Sequence, residues 1–219
     1  MKDKLFEFLG LKNNKYLIEC IGSYFLVLAY GLSGDAIAIG FILSALIFVG
    51  AMVSGAHYNP AISIAAFFLK KITPSELLGY IVSQIIGAFL AASTVLFISS
   101  LVFYVETPIN TGFYQQLSIE TLLTFVLTLS ALVAWIGNPS HKSVATYSFV
   151  VGFTLVALVM IGQNISGAIF NPAISIGTSI LDYLLGGASY QDIIIYTIGP
   201  ISGASIAAYT YKFVIEERY

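Results

Sequence analysis

Charge is what this chain has least of. Of its 219 residues, 9% are Asp, Glu, Lys or Arg, against about a quarter in a soluble domain. It has one arginine, Arg218 near the C-terminus, and one cysteine, Cys20. A lone cysteine excludes an intrachain disulfide, and Cys20 lies in an apolar run, where it reads as a packing residue. The nine basic residues are scattered, so no patch is large enough to hold nucleic acid. The N-terminus has no small-residue cleavage site behind a short apolar core, so the first apolar run reads as retained. Neither a cofactor nor a metal is expected. What remains is 58% hydrophobic, with a mean hydropathy of +0.92. That is the composition of a multi-pass integral membrane protein whose surroundings are the lipid bilayer.

Six apolar runs approach the ~20 residues a spanning helix needs: about 16–33, 36–53, 77–103, 117–136, 145–163 and 191–213. Two further runs, 60–69 and 172–181, are too short to cross. They read as half-helices on re-entrant loops, which are tolerated only when buried in protein or lining a watery cavity.

The short runs follow a repeated phrase. Ser54-Gly55-Ala56-His57-Tyr58-Asn59-Pro60-Ala61-Ile62-Ser63-Ile64 returns as Ser166-Gly167-Ala168-Ile169-Phe170-Asn171-Pro172-Ala173-Ile174-Ser175-Ile176, with nine of eleven positions identical and a spacing of 112. This is an internal duplication. It extends to Gly87 with Gly199 and Ala91 with Gly203 at the same spacing, and to Ile18-Glu19 with Ile119-Glu120 at a spacing of 101. An insertion of about eleven residues within 120–171 accounts for the change. Ser83, Gly87 and Ala91, like Gly199, Gly203 and Ala207, place a small residue every fourth position, which lets helices pack closely. Asn164-Ile165-Ser166 matches a glycosylation acceptor, but its apolar setting beside the repeat argues against that use.

Each half therefore has three full spans, and an odd number inverts the second half. The expected fold is an all-α membrane protein with six transmembrane helices and two re-entrant half-helices. It forms one channel domain over 1–219, with repeat one at about 16–103, a linker at about 104–116 and repeat two at about 117–213. Paired short segments at matching places in two halves point to a transport pathway. Lys2, Lys4, Lys12, Lys15, Lys70, Lys71, Lys142, Lys212 and Arg218 fall in one alternate set of connections, and Asp35, Glu106, Asp182 and Asp192 in the other. The positive-inside rule then places both termini in the cytoplasm, with the cell membrane as the expected location. His141, beside Lys142, reads as a solvated loop histidine.

Asn caps a helix and Pro suits its first turn, so helices begin at Pro60 and Pro172. Inverted, the two half-helices meet N-terminus to N-terminus near mid-membrane. Each end carries roughly half a positive charge, which repels cations. The oxygens of Asn59 and Asn171 cap, leaving their NH2 groups to donate to a passing oxygen atom. Water or a small neutral solute suits such a site, whereas Asp in the same place would invite cations.

Six spans, two Ser-Gly-Ala-x-x-Asn-Pro-Ala loops, a glutamate opening the first span of each half, and the runs Gln84-Ile85-Ile86-Gly87-Ala88 and Gly199-Pro200-Ile201-Ser202-Gly203-Ala204 resemble the aquaporin (major intrinsic protein) family over 16–213. The resemblance implies a homotetramer in which each subunit has its own pore, centred on Asn59-Pro60-Ala61 and Asn171-Pro172-Ala173, for water or small neutral solutes. It also favours Glu19 and Glu120, the acidic residues inside spans, as supports for the re-entrant loops. Their symmetric placement says the same; the other reading is proton coupling. His57 either lines the cytoplasmic vestibule or serves packing or capping.

One departure stands out. Typical members follow the second Asn-Pro-Ala with Arg, and this chain has Ile174. The other filter positions implied are Ile39, Ala168 and either Val159 or Met160, which makes the predicted filter wholly apolar. Ser175 resembles the water-selective branch. The chain thus reads as a passive channel and not an enzyme. The rival readings are a secondary transporter on an inverted-repeat scaffold and a non-conducting junction or scaffold protein.

Overall fold

The computed structural model describes residues 14–136 and 143–215. His141, Lys142, the first three lysines and Arg218 lie outside the described residues. The helices run in the order α1 (Asn14–Leu32), α2 (Ala36–Ser54), α3 (Pro60–Phe68), α4 (Pro74–Ser99), α5 (Phe113–Ile136), α6 (Val144–Ser166), α7 (Pro172–Leu184) and α8 (Ile193–Thr210). A 3₁₀ turn, Ser189–Asp192, leads into α8, and a π turn, Tyr211–Ile215, continues it. Among the described residues, six helices are long and apolar enough to cross a membrane, the last being the continuous Ser189–Ile215. The protein is an all-helical integral membrane protein with the two short helices α3 and α7 between its spans.

Local chemistry sets the helix ends. Asp35 Oδ1 accepts from Ala38 N at 2.9 Å, and Ser143 Oγ accepts from Thr146 N at 2.9 Å, so both cap the helices that follow. The sequence placed the third span from 77, but α4 begins at Pro74. Thr73 and Glu76 form a reciprocal capping box, with Glu76 Oε2 accepting from Thr73 N at 2.7 Å. The same helix stops at Ser99 and not at 103, because Ser100 turns left-handed at φ 60°. The non-helical connection between the halves is therefore 100–112, a few residues earlier than expected.

Packing is organised by glycines. A Cβ on Gly87 would lie 2.3 Å from the Cys20 carbonyl, and one on Gly203 would lie 2.2 Å from the Thr121 carbonyl. These are the equivalent close approaches of α4 on α1 and of α8 on α5. They correct the repeat register. The structural counterpart of Gly87 is Gly203, 116 residues on, and not Gly199. The extra four residues have a visible source, since α7 has 13 residues where α3 has nine. Between the halves, α2 crosses α6 at Gly40 and Gly152, where each added Cβ would meet the other's carbonyl at 2.5 Å. Gly40 and Gly152 are the same position of the two repeats, so the pseudo-two-fold axis passes between them.

Candidate functional site

The two re-entrant loops share one unusual backbone. Gly55, Ala56 and Tyr58 have φ of 85°, 54° and 51°, and Gly167, Ala168 and Phe170 have φ of 87°, 56° and 53°. Non-glycine residues in this left-handed region cost about 1–2 kcal/mol each. Such strain persists only where the surroundings over-determine it.

Two buried carboxylates do that here. Glu19 Oε1 accepts from Ser54 Oγ at 2.6 Å and His57 N at 2.9 Å, while Oε2 accepts from Tyr58 N at 2.6 Å and Gln84 Nε2 at 2.8 Å. Glu120 Oε1 accepts from Ser166 Oγ at 2.7 Å and Ile169 N at 3.0 Å, and Oε2 from Phe170 N at 2.7 Å. Both side chains are fully buried, and every partner is a donor. The carboxyl oxygens are thereby met by directed hydrogen bonds, which a buried polar group requires. Glu19 has one donor more, Gln84, which also donates to Ser63 Oγ at 3.0 Å.

Four tyrosines complete the loops. Tyr80 Oη donates to Ser54 O at 2.7 Å, and Tyr196 Oη donates to Ser166 O. Across the halves, Tyr147 Oη donates to Gly55 O at 3.0 Å and Tyr30 Oη to Ala168 O at 3.2 Å. The sequence reading missed all four. A signal for them exists, because a tyrosine inside an apolar span carries a hydroxyl that needs a partner when buried.

At the loop tips Asn59 Oδ1 accepts from Ala61 N at 2.8 Å, and Asn171 Oδ1 accepts from Ala173 N at 3.0 Å. Pro60 and Pro172 open the two short helices. The amide groups differ from expectation. Asn59 Nδ2 donates to Phe170 O at 2.8 Å, and Asn171 Nδ2 donates to Tyr58 O at 2.9 Å. One N–H of each asparagine thus clasps the opposite loop, so the clasp uses one of its two donors. The reciprocal bonds also bring the N-termini of α3 and α7 together.

A narrow cavity of about 30 Å³ runs past this clasp, bordered by Tyr30, His57, Asn59, Tyr147, Ile169, Asn171 and Ile174, with Leu26, Leu43, Ile47 and Leu155 among its apolar walls. A water needs roughly 10–15 Å³, so the cavity is large enough to admit water. His57 both borders the cavity and packs. Its ring stands edge-on to Tyr80 and Trp135, its Nδ1 lies 3.1 Å from Ser63 Oγ, and its Nε2 has no hydrogen-bond partner among the described residues. The matching position in the second loop is the apolar Ile169, so the polar wall is asymmetric.

The predicted filter positions are not brought together on this wall. Ile174 borders the cavity. Ile39, Val159 and Ala168 are buried in the surrounding core. Met160 is 51% exposed on the outer surface of α6, so of the pair Val159 and Met160 it is Val159 that faces inward. Ala61 and Ala173 are fully buried beneath their caps.

A sequence model of the family described as Major intrinsic protein matches residues 9–211. The chain is 31% identical over 210 residues to "Glycerol uptake facilitator protein-like 6" of Lactiplantibacillus plantarum, covering 89% of this chain and 95% of that protein. It is 30% identical over 197 residues to "Aquaporin AqpM" of Methanothermobacter thermautotrophicus, covering 84% and 79%. In fold it matches the X-ray structure of the aquaglyceroporin from Plasmodium falciparum, with a TM-score of 0.84 at 24% identity over 93% of this chain and 97% of that one.

Proposed function

The chain belongs to the major intrinsic protein family, and from that premise we propose how it works as a passive channel for water and small neutral solutes. The pore runs through each subunit past the clasp of Asn59 and Asn171. Each asparagine caps its own half-helix, ties the opposite loop, and keeps one N–H for the oxygen of a passing molecule. The paired helix N-termini place positive potential at the narrowest point. A cation arriving there loses its hydration shell against that positive potential, so it is excluded. A neutral solute exchanges one hydrogen bond for another and passes. The observation that carries this reading is the reciprocal pair of bonds, Asn59 to Phe170 O and Asn171 to Tyr58 O.

Glu19 and Glu120 hold the loops and take no part in ion coupling. Each is surrounded by donors that fix strained backbone. A transporter would need a carboxylate free to exchange protons. Relatives carry names of both glycerol facilitators and aquaporins, and the substrate is a neutral, hydrogen-bonding molecule of that size range. The basic end of the bundle faces the cytoplasm. Lys15 pairs with Glu76, and Lys212 shares a groove with Phe68 and Leu69, immediately before Lys70 and Lys71. The described stretches around Lys15 and Lys212 lie at that end, which the positive-inside rule assigns to the cytoplasm. Exposed apolar side chains such as Phe48, Met52 and Phe97 face lipid or the neighbouring subunits of a homotetramer.

The test is flux into proteoliposomes, with water followed by light scattering after an osmotic jump, and glycerol and ammonia by their own uptake. Flux down a solute gradient alone is expected. Flux that requires a proton or sodium gradient would overturn the channel reading in favour of a transporter.

A further inference from the structure

We propose that Tyr30 is a solute-binding residue of this pore, its hydroxyl oxygen serving as a hydrogen-bond acceptor beyond the asparagine clasp. This rests on the channel reading. Tyr30 lies near the end of α1, the end away from Lys15, and its side chain is 8% exposed. It borders the same narrow cavity as Ile174, where the family's arginine is absent. Its hydroxyl has one hydrogen, and that hydrogen goes to Ala168 O at 3.2 Å. Two lone pairs remain on the oxygen. The group can therefore only accept from a solute.

Its surroundings make that oxygen count. Leu26, Leu155, Ile169 and Ile174 supply apolar wall to the same cavity. The other polar side chains on the cavity are the asparagines at the clasp and His57 and Tyr147 on the side of the first loop. Beyond the asparagines, a solute that has shed its water finds its polar side-chain partner in Tyr30. Arginine is a donor without acceptor capacity, so replacing it functionally by Tyr30 inverts what the filter reads. The central asparagines offer N–H, and Tyr30 offers a lone pair. Water, ammonia and hydroxyl compounds can use both in turn. A solute with acceptors but no donor hydrogen meets nothing at Tyr30.

Tyr30→Phe keeps the ring and removes the hydroxyl. Ala168 is not among the residues bordering the cavity, so its freed carbonyl is not expected to take over the lumen position. Purified parent and variant are reconstituted at matched density. Water permeability is read by osmotic shrinkage and ammonia permeability by the rise in internal pH, both per folded protein from a monodisperse preparation. A net hydrogen bond is worth about 1 kcal/mol, or about fivefold in rate, so both permeabilities are expected to fall about fivefold, with the melting midpoint within a few degrees of the parent's. An unchanged or increased permeability in the folded variant would overturn the proposal, an increase marking the hydroxyl as an obstruction. A parent that conducts no better than empty vesicles would overturn the channel reading itself, and this inference with it.

Discussion

Glu120→Gln tests the support of the second loop, because the replacement keeps shape and volume and changes only hydrogen-bonding sense. Glu120 accepts three bonds and donates none. A glutamine has one acceptor oxygen and an NH2 group. With the oxygen toward Ser166 and Ile169, the NH2 faces Phe170 N, a donor against a donor. Turned the other way, it faces Ile169 N and a Ser166 hydroxyl that already accepts from Ala168 N at 3.1 Å. Either way one buried backbone N–H loses its partner. Losing a hydrogen bond to a charged acceptor costs about 1.5–3 kcal/mol, and an orphaned buried N–H lies in the range of about 1–3 kcal/mol. These overlap, and together they give about 3 kcal/mol. For a chain of this length each kcal/mol shifts the melting midpoint by about 2–4 °C, so a fall of about 6–12 °C is expected.

The first half supplies the comparison. Glu19→Gln creates the same conflict at Tyr58 N, but there Gln84 can turn its amide. Its Oε1 has no hydrogen-bond partner among the described residues, and turned it would accept from the new NH2 while giving up its bond to Ser63 Oγ, so the relief is partial. Glu19→Gln is therefore expected to destabilise less than Glu120→Gln, by about 1 kcal/mol. The assay is thermal unfolding of the purified protein in detergent, followed by intrinsic fluorescence, with osmotic water flux on the same preparations. A Glu120→Gln midpoint within 2 °C of the parent's, roughly the shift from 1 kcal/mol, would refute the view that this carboxylate holds the strained loop. A larger loss in Glu19→Gln would refute the account of Gln84.

Three further outcomes are expected. Asn171→Asp keeps an oxygen to cap Ala173 N but places negative charge at the paired helix ends and loses the bond to Tyr58 O; planar-bilayer recordings should show cation current absent from the parent, and silence would remove Asn171 from the constriction. Gly203→Ala puts a methyl group 2.2 Å from the Thr121 carbonyl and 2.8 Å from Phe125 N, an overpacking typically worth about 1–3 kcal/mol; its midpoint should drop clearly, while Gly112→Ala, whose nearest atom is Gln115 Oε1 at 3.7 Å, should barely change. Ile174→Arg adds a donor on the cavity wall and should raise the ratio of water to ammonia permeability in matched proteoliposomes; an unchanged ratio in a folded variant would place residue 174 outside the filter.

What could be read from sequence divides along a physical line. The starts of α3 and α7 were legible because an Asn cap followed by Pro is a local device, decided within three residues. The glutamates were legible because a charge inside an apolar span is expensive and so must have a purpose. The asparagine clasp was not, because Asn59 and Phe170 meet across 111 residues of chain and no local rule assigns the second amide hydrogen. Register failed for a related reason. A fixed spacing of 112 paired Gly87 with Gly199, but four more residues in α7 slide the later helix by one turn, and a stripe of small residues every fourth position looks the same after such a slide. The tyrosines were the largest omission. In a span, Tyr30 reads as one more apolar side chain, and only the folded chain shows its hydroxyl at the carbonyl of Ala168, a residue that sequence alone assigned to a wholly apolar filter. On the proposed reading, selectivity is carried less by the repeated phrase than by single residues that break the symmetry between the halves. His57 has the apolar Ile169 as its counterpart in the second loop, and Gln84 supports only the first glutamate. Tyr30 supplies a lone pair where an arginine would have donated.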